Sequence, residues 1–234
     1  MTRTALSLGV EVPDGTARLS GDLVVPSACD GLVIFAHGSG SGRFSSRNRQ
    51  VAEALQASGF GTLLLDLLTP QEEAIDVHTT EFRFDIPRLG RRVIAAVDWA
   101  AKQPALQHLR IGYFGASTGA AAALIAAAAR PELSAAVVSR GGRPDLAWGA
   151  LEYVRAPTLL IVGGRDEQVI GLNEEAKRQM MTTVRLEIVP GATHLFEESG
   201  ALEDVQKLAV DRLRQYLRRG TGEEMLDGVA PGEV

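Results

Sequence analysis

Three polar side chains that could carry out one reaction together stand at widely spaced points of the sequence. Ser117, Asp166 and His194 each come shortly after an apolar run that predicts a β-strand. A serine hydroxyl is too weakly acidic to attack a carbonyl carbon unaided, so it needs a base such as histidine to take its proton. A carboxylate can then hold the imidazole in the required tautomer. These residue types indicate nucleophilic acyl transfer, provided that the fold brings them together.

The serine lies in a sequence pattern with a mechanical meaning of its own. The pentapeptide GASTG at 115–119 joins a strand-like apolar run to an alanine-rich helical segment. Between a strand and a helix, the pattern G-x-S-x-G places the serine on a strained turn with its hydroxyl clear of the backbone. Glycines are needed on both sides because the strand and the helix approach too closely for a Cβ. The pattern is short enough to arise by chance, so its meaning depends on its context.

A second pattern, the glycine loop HGSGSG at 37–42, could donate a hydrogen bond to the oxyanion of such a reaction. It lacks the Lys-Ser/Thr ending of a P-loop and the spacing G-x-G-x-x-G of dinucleotide sites, which disfavours nucleotide binding. We expect the N–H of Ser39 and the N–H of Thr118, which directly follows the nucleophile, to form an oxyanion hole. Gly38 or Gly40 would replace Ser39 if the loop is shifted by one residue.

Each candidate has a simpler interpretation that the sequence leaves open. Ser117 could only cap the following helix, because serine is a favoured N-cap residue. Asp166 could do the same at a later helix, in which case Asp145 would be the alternative acid. His194 could be a surface loop histidine. His37 is expected to pack beneath the glycine loop rather than to act as a second base.

Arginines also follow the predicted strand ends and suggest a hypothesis about the substrate. Arg140 and Arg143 come after the strand that follows the serine, and Arg47 comes after the glycine loop. These three could bind an acidic group of the substrate. Pairing with surface carboxylates such as Asp145 or Glu81 is the more common situation for arginines of this kind.

Strands and helices that would position these residues alternate from residue 31 onward. Short apolar runs predict buried strands, and apolar residues at helical spacing predict the helices between them. This order predicts an α/β fold with a mainly parallel twisted sheet, helices on both faces and sites beyond the carboxyl ends of the strands. Segments 6–12 and 17–25, separated by Pro-Asp-Gly, predict antiparallel N-terminal edge strands. Residues 69–90 lack strong periodicity and are expected to form an irregular crossover over the site.

The C-terminal part of the sequence predicts the last elements and the extent of the domain. A strand is predicted at 184–189, with helices at 174–181 and 201–218 on either side of it. No internal repeat or linker is visible, so we expect residues 1–218 to form a single domain. Residues 219–234 are glycine-rich and acidic and are expected to form a mobile tail.

Composition limits the classes of function. The chain has 234 residues, with 24 basic and 29 acidic side chains and a formal net charge of −5. Because it has no dense basic block, neither nucleic acid nor an anionic membrane is expected as a partner. The lone Cys29 excludes an internal disulfide, and the scattered histidines form no ligand pattern, so neither a metal nor a cofactor is expected. Without an apolar signal-peptide core near the N-terminus, we expect a cytoplasmic protein that acts on a small molecule.

Taken together, these motifs resemble the α/β-hydrolase superfamily. The resemblance rests on GASTG, the glycine loop, GGRD at 163–166 and GATH at 191–194, in the chain order serine, acid, histidine. The chain looks most similar to the dienelactone hydrolase-like group, which lacks a large cap domain, and His194-Leu195-Phe196 directly before the last helix strengthens that likeness. The resemblance implies a cofactor-independent hydrolase of small carboxylic esters, with an acyl-enzyme on Ser117.

The chain also departs from that group. Dienelactone hydrolases proper have a cysteine nucleophile and an activating glutamate on the strand before the oxyanion loop. Here the nucleophile position holds Ser117, and the strand end Phe35-Ala36-His37 offers no glutamate, so lactone specificity is not implied. The same three residues would also serve a thioesterase, an amidase or a peptidase, and a hydrolase fold could bind a ligand without turnover.

Overall fold

The computed structural model of the protein describes residues 5–218. Within them the strands are β1 (Ala5–Asp14), β2 (Ala17–Pro26), β3 (Gly31–Ala36), β4 (Gly61–Leu65), β5 (Arg110–Ala116), β6 (Ser134–Arg140), β7 (Thr158–Gly163) and β8 (Val184–Val189). They form one sheet in the order β1-β2-β4-β3-β5-β6-β7-β8. β1 pairs antiparallel with β2 and β2 with β4, and all other pairs are parallel. The expected α/β fold is confirmed, whereas the tail expected at 219–234 lies outside the described residues.

Helices cover both faces of this sheet. They are α1 (Ser46–Ala57), α2 (Pro70–Thr79), α3 (Ile86–Lys102), α4 (Thr118–Ala129), α5 (Trp148–Leu151), α6 (Glu167–Gln179) and α7 (Ala201–Leu217), with a 3₁₀ turn at Pro144–Ala147. Side chains alternate between the two faces along each strand. In β3, Leu32 and Ile34 belong to the core under α3 and α4, while Val33 and Phe35 belong to the core under α1 and α7. None of the helices between residues 5 and 218 is long and apolar enough to span a membrane.

The N-terminal hairpin is tighter than the sequence predicts. Asp14 pairs with Ala17, so β1 continues through Pro13, and the turn consists of Gly15 and Thr16. Gly15 has a φ of 59°, the left-handed conformation that a two-residue hairpin turn requires. Proline is tolerated in β1 because this strand lies at the edge of the sheet.

The expectation of an irregular crossover at 69–90 is wrong for its first half, because α2 forms there. Thr69 caps α2 by accepting a hydrogen bond from the N–H of Glu72, and the Glu72 carboxylate accepts one from the N–H of Thr69. This reciprocal capping box satisfies two backbone donors at the start of the helix. Glu72 also forms ion pairs with Arg88 and Arg92, which join α2 to α3.

Two further boundaries matter for the site. α6 starts at Glu167, directly after the strand-end loop, rather than at residue 174 as expected. β6 ends at Arg140, which pairs in register with Ala116 at the end of β5. Because parallel strands end at the same edge of the sheet, Arg140 therefore lies beside the residue that precedes Ser117.

Candidate active site

Ser117 occupies a sharp turn between β5 and α4. Its φ of 50° and ψ of −121° are unusual for a residue with a side chain. A Cβ on Gly119 would lie 2.2 Å from the carbonyl oxygen of Ala36, and a Cβ on Gly115 would lie 2.5 Å from Cα of Ala120. No real Cβ tolerates such distances, so both glycines are required for the strand and helix to pack. The turn holds the serine in a strained conformation of the kind found at functional sites.

The side chain of Ser117 points to a histidine rather than into its own helix. Ser117 occupies the N-cap position of α4 but makes no capping hydrogen bond with its side chain. Its Oγ lies 3.3 Å from Nε2 of His194, within hydrogen-bond reach. The simpler interpretation of Ser117 as a helix cap therefore does not describe its contacts.

His194 is held on its other side by a carboxylate. Nδ1 of His194 donates to Oδ2 of Asp166 across 2.6 Å, which leaves Nε2 as the acceptor that faces the serine. Asp166 stands at the N-cap of α6 without making a capping hydrogen bond. The alternative acid, Asp145, instead accepts hydrogen bonds from Nε and Nη2 of Arg143, at 2.8 and 2.7 Å. Of the two candidate acids, the structure brings only Asp166 to the histidine.

A close approach of two loops makes this contact possible. A Cβ on Gly163, at the end of β7, would lie 2.5 Å from the carbonyl oxygens of Ala192 and Thr193. The loop that carries Asp166 therefore packs directly against the loop that carries His194. When a hydroxyl, an imidazole and a carboxylate are joined by consecutive hydrogen bonds, the imidazole can take the hydroxyl proton and the carboxylate can stabilise the resulting imidazolium.

His37 has an environment opposite to that of His194. It is 7% exposed, and both its ring nitrogens are bonded to backbone groups. The N–H of Leu67 donates to Nε2 across 2.8 Å, so Nδ1 carries the proton and donates to the carbonyl oxygen of Gly38 across 2.9 Å. Burial lowers the pKa of His37, although the nearby Gly38 carbonyl opposes this effect. His37 is thus a neutral, fully bonded support of the glycine loop.

The glycine loop lies against the nucleophile position. A Cβ on Gly38 would lie 3.2 Å from Cβ of Ser117. The carbonyl of Gly38 accepts hydrogen bonds from His37 and from the N–H of Ser41. Because the peptide bond is trans, the N–H of Ser39 points in the direction opposite to that carbonyl. His37 therefore fixes the orientation of the peptide that carries one of the two expected oxyanion donors.

A cavity of about 160 Å³ adjoins this loop. Ser117 and His194 do not line it, so it lies beside the reactive atoms and not around them. The crossover that was expected to cover the site supplies part of its wall. The lining residues are His37, Gly38, Ser39, Gly40, Ser41, Asp66, Leu68, Glu73, Asp76, Val77, Arg83 and Leu89. Five of these residues lie in the segment 69–90 that was expected to overlie the site. The helix α2, which carries three of them, had two signals in the sequence, the capping box at Thr69 and Pro70 at its first position.

The three arginines suggested by the sequence have different surroundings. Arg143 is engaged by Asp145, as described above, and Arg47 donates to Glu197 across 2.9 Å. Arg140 is buried and makes no ion pair with any residue from 5 to 218. Its guanidinium carbon lies 5.7 Å from the centre of the Phe196 ring.

No group of three or more His, Cys, Asp or Glu side chains within residues 5–218 is arranged to hold a metal ion. The glycine loop is followed by Arg43 and Phe44 rather than by the lysine and hydroxyl residue of a phosphate-binding loop.

Comparison with known proteins places this geometry in a family. Residues 21–218 match the dienelactone hydrolase family. The chain belongs to the dienelactone hydrolase family. A crystal structure of a dienelactone hydrolase from Anabaena variabilis is 56% identical, with a TM-score of 0.90 over 92% of this chain and 99% of that one. The fold alone is shared with a dienelactone hydrolase-like promiscuous phosphotriesterase from metagenomic libraries, which is 17% identical with a TM-score of 0.73 over 91% of this chain and 98% of that one.

A longer relative carries a different name. A Mycobacterium tuberculosis protein provisionally named a phosphoribosyl transferase is 55% identical over 208 residues, which are 89% of this chain and 46% of that protein. The chain thus spans about half the length of the curated relatives it matches. The chain therefore has the α/β-hydrolase fold that this family shares.

Proposed function

We propose that this member of the dienelactone hydrolase family is a serine hydrolase that cleaves small carboxylic esters. The observation that carries the proposal is the hydrogen-bonded chain from Ser117 Oγ through His194 to Asp166, with distances of 3.3 and 2.6 Å. Such a chain gives a serine the base it needs and gives that base an orienting carboxylate. The half-exposed His194, with 37% of its side chain accessible, can exchange its proton with substrate and water.

The reaction follows from these contacts. Oγ of Ser117 attacks the carbonyl carbon of the ester while Nε2 of His194 takes the hydroxyl proton, and the carbonyl oxygen becomes an oxyanion. Collapse of this intermediate breaks the bond to the alcohol, which leaves with the proton from His194, and an acyl group remains on Ser117. Water then attacks the acyl group by the same path, with His194 as base, and releases the acid. Asp166 keeps Nδ1 protonated and stabilises the imidazolium in both halves.

Two backbone donors are proposed to hold the oxyanion. The N–H of Thr118 belongs to the first turn of α4, where backbone N–H groups have no partner within the helix and the helix dipole favours negative charge. The N–H of Ser39 is the second donor, and the bonds to the Gly38 carbonyl described above support its fixed orientation. Removing one donor of this kind typically lowers kcat by about 10² to 10³-fold.

The adjoining cavity supports a small substrate. Its volume of about 160 Å³ is small for a ligand pocket, which suits a short acyl chain or a small alcohol. Leu68 and Val77 give part of the wall an apolar character, and Ser39 places the proposed oxyanion donor at its edge. We therefore expect short esters to be better substrates than long-chain ones.

The decisive experiment is a comparison of Ser117→Ala with Ser46→Ala, which removes an exposed serine at the start of α1. With 4-nitrophenyl acetate, we expect the unmodified protein to release 4-nitrophenol in a burst and to carry an acetyl group on Ser117, detectable by mass spectrometry. Ser117→Ala is expected to lose turnover by about 10⁴-fold or more, while Ser46→Ala keeps it. Full activity in Ser117→Ala would refute the proposed nucleophile.

The same constellation also serves thioesters and amides, so a panel of matched acetyl esters, thioesters and anilides would rank these acyl donors. Phosphoribosyl transfer, the activity in the name of the longer relatives, displaces a group at a sugar carbon and needs no serine nucleophile, so the contacts of Ser117 favour hydrolysis for this chain. A fluorophosphonate probe separates a serine hydrolase of any of these acyl donors from a ligand-binding protein without turnover, because only an activated serine would be labelled.

A further inference from the structure

The strand β8 forms one edge of the sheet, and β7 is its only neighbouring strand within residues 5–218. The carbonyl groups of Thr183 and Val189, just before and at the end of β8, accept hydrogen bonds from backbone N–H groups at the start of β7 and just past its end. In a parallel pair, every second residue directs both its backbone groups to the neighbouring strand. The alternate residues of β8 therefore direct their N–H and C=O groups away from the sheet, and these residues are Val184, Leu186 and Ile188.

This outward-facing row of backbone groups can accept a further strand. Sheet edges are commonly protected by proline, by bulges or by lysine side chains. β8 contains none of these, and it pairs with β7 in continuous register over its whole length. Its apolar residue Ile188 is also 39% exposed, so a covering strand would remove apolar surface from water.

The sequence of β8 is complementary to itself when two copies run antiparallel. In VRLEI at 184–188, apolar residues occupy the first, third and fifth positions, with arginine at the second and glutamate at the fourth. If Leu186 lies opposite Leu186 of a second copy, Val184 lies opposite Ile188 and Arg185 lies opposite Glu187. Apolar side chains then face apolar ones, and each cation faces an anion, which are the pairings that stabilise neighbouring strands.

The backbone and the charges agree on this register. The outward-facing groups of Val184, Leu186 and Ile188 would meet those of Ile188, Leu186 and Val184 of the second copy, and each pair can exchange two hydrogen bonds. Arg185 and Glu187 would lie in the pairs between them, where opposite side chains are closest. A register centred on Arg185 or on Glu187 would instead place two like charges opposite each other, which is destabilising. The charges therefore select the register centred on Leu186.

We propose that two copies of this chain associate through β8, antiparallel about Leu186, so that their two sheets become continuous. Within one chain Arg185 and Glu187 form an ion pair, and in the dimer the two pairs become a network of four alternating charges. The opposite edge of the sheet is less suitable, because β1 contains Pro13 and its charged residues are all acidic. A single pair of short strands is a small interface, so we expect a dissociation constant on the order of 10 µM.

Sedimentation velocity over about 1 to 200 µM protein tests the association, because this range brackets the expected dissociation constant. We expect the mass of the unmodified protein to rise from 24.9 kDa towards about twice that value. A protein that stays monomeric over the whole range would refute the proposal. Circular dichroism of each variant verifies that it is folded.

Charge exchange assigns the contact to β8. Arg185→Glu and Glu187→Arg each place like charges opposite one another and are expected to weaken dimerisation by about tenfold or more. The double variant Arg185→Glu/Glu187→Arg restores opposite charges with their signs exchanged, so we expect it to dimerise within about threefold of the unmodified protein. Arg91→Glu is the matched control, because it makes the same change of charge beside β1 at the far edge of the sheet. Dimerisation that the single variants leave unchanged, or that Arg91→Glu alone abolishes, would overturn the assignment.

Amide hydrogen exchange followed by NMR locates the pairing at single residues. The N–H groups of Val184, Leu186 and Ile188 are expected to exchange slowly at high protein concentration and rapidly at low concentration, because only the dimer gives them a partner. In Arg185→Glu they are expected to exchange rapidly at both concentrations. Slow exchange that does not depend on concentration would show that another segment of the same chain covers this edge. A dimer in which these amides still exchange rapidly would place the interface elsewhere, and either result would refute the proposal.

Discussion

Replacing Asp166 with asparagine tests the proposed mechanism, because asparagine has nearly the same size and shape as aspartate but is neutral and can donate a hydrogen bond. The carboxylate accepts the Nδ1 proton of His194 across 2.6 Å and is 16% exposed, so little water competes for it. In Asp166→Asn the amide can donate to Nδ1, which moves the imidazole proton to Nε2. The nitrogen that faces Ser117 then carries a proton and is unable to accept the hydroxyl proton.

The expected loss is large and falls on kcat. A neutral side chain in this position favours the wrong tautomer and no longer stabilises the imidazolium, effects that together lower kcat by about 10³ to 10⁴-fold. This corresponds to about 4 to 5.5 kcal/mol of transition-state stabilisation. KM is expected to change by less than about threefold, because Asp166 contacts the histidine and not the substrate. The assay is steady-state hydrolysis of 4-nitrophenyl acetate, with circular dichroism to verify folding.

Asp145→Asn is the matched control, because Asp145 also follows a strand end but is bound by Arg143. We expect its kcat to stay within about threefold of the unmodified protein, since Asp145 is hydrogen-bonded to Arg143 and not to His194. The proposed role of Asp166 would be refuted if Asp166→Asn retained more than a tenth of the activity. It would equally be refuted if both asparagine variants lost activity to the same extent.

Two further predictions concern the fold around the site. Gly119→Ala would place a Cβ 2.2 Å from the backbone oxygen of Ala36, and we expect it to lower the free energy of unfolding by more than about 3 kcal/mol in urea titrations. Gly171→Ala, in α6 where nothing lies within 4 Å, should raise it by up to about 1 kcal/mol, and equal stabilities would contradict this account. Burial alone would raise the pKa of Glu72, but hydrogen bonds from Arg92 and the backbone outweigh burial and lower it from 4.5 to about 2. The carboxylate therefore stabilises the fold above pH 4.5 and loses this effect as the pH falls towards 2, so Glu72→Gln should flatten the decline of the urea midpoint in that window, and an unchanged slope would refute this role.

Regular strands between turn residues were among the most predictable elements. The predicted range 184–189 matches β8, in which apolar and charged residues alternate and Pro190 and Gly191 follow the last strand residue. α2 was missed for a physical reason. In α2, the apolar Ile75 and Val77 are exposed and the charged Asp76 is buried, which is the reverse of an ordinary surface helix. The buried carboxylate of Asp76 accepts hydrogen bonds from the N–H of Phe82 and from the side chain of Arg83.

The residues of the site were likewise predictable in part. The order of Ser117, Asp166 and His194 at strand ends predicted that they would meet, because parallel strands deliver their carboxyl ends to one edge of the sheet. The surroundings of the arginines were not predictable in this way. Arg143 pairs with Asp145, whereas Arg140 forms no ion pair with any residue from 5 to 218, and the sequence contains no signal that distinguishes the two arginines.

The two histidines show what decides between a structural and a reactive role for one residue type. His37 is buried, and its two ring nitrogens are both satisfied by backbone groups, so neither is available to take a proton from a substrate or a nucleophile. His194 has one nitrogen satisfied by a carboxylate and leaves the other facing a hydroxyl in a partly exposed position. A general base needs a free lone pair, a means of stabilising its cation and access to the reacting atoms. Of the two histidines, only His194 meets all three conditions. His37 contributes by fixing the Gly38–Ser39 peptide, whose N–H would donate a hydrogen bond to the oxyanion that forms when His194 takes the serine proton.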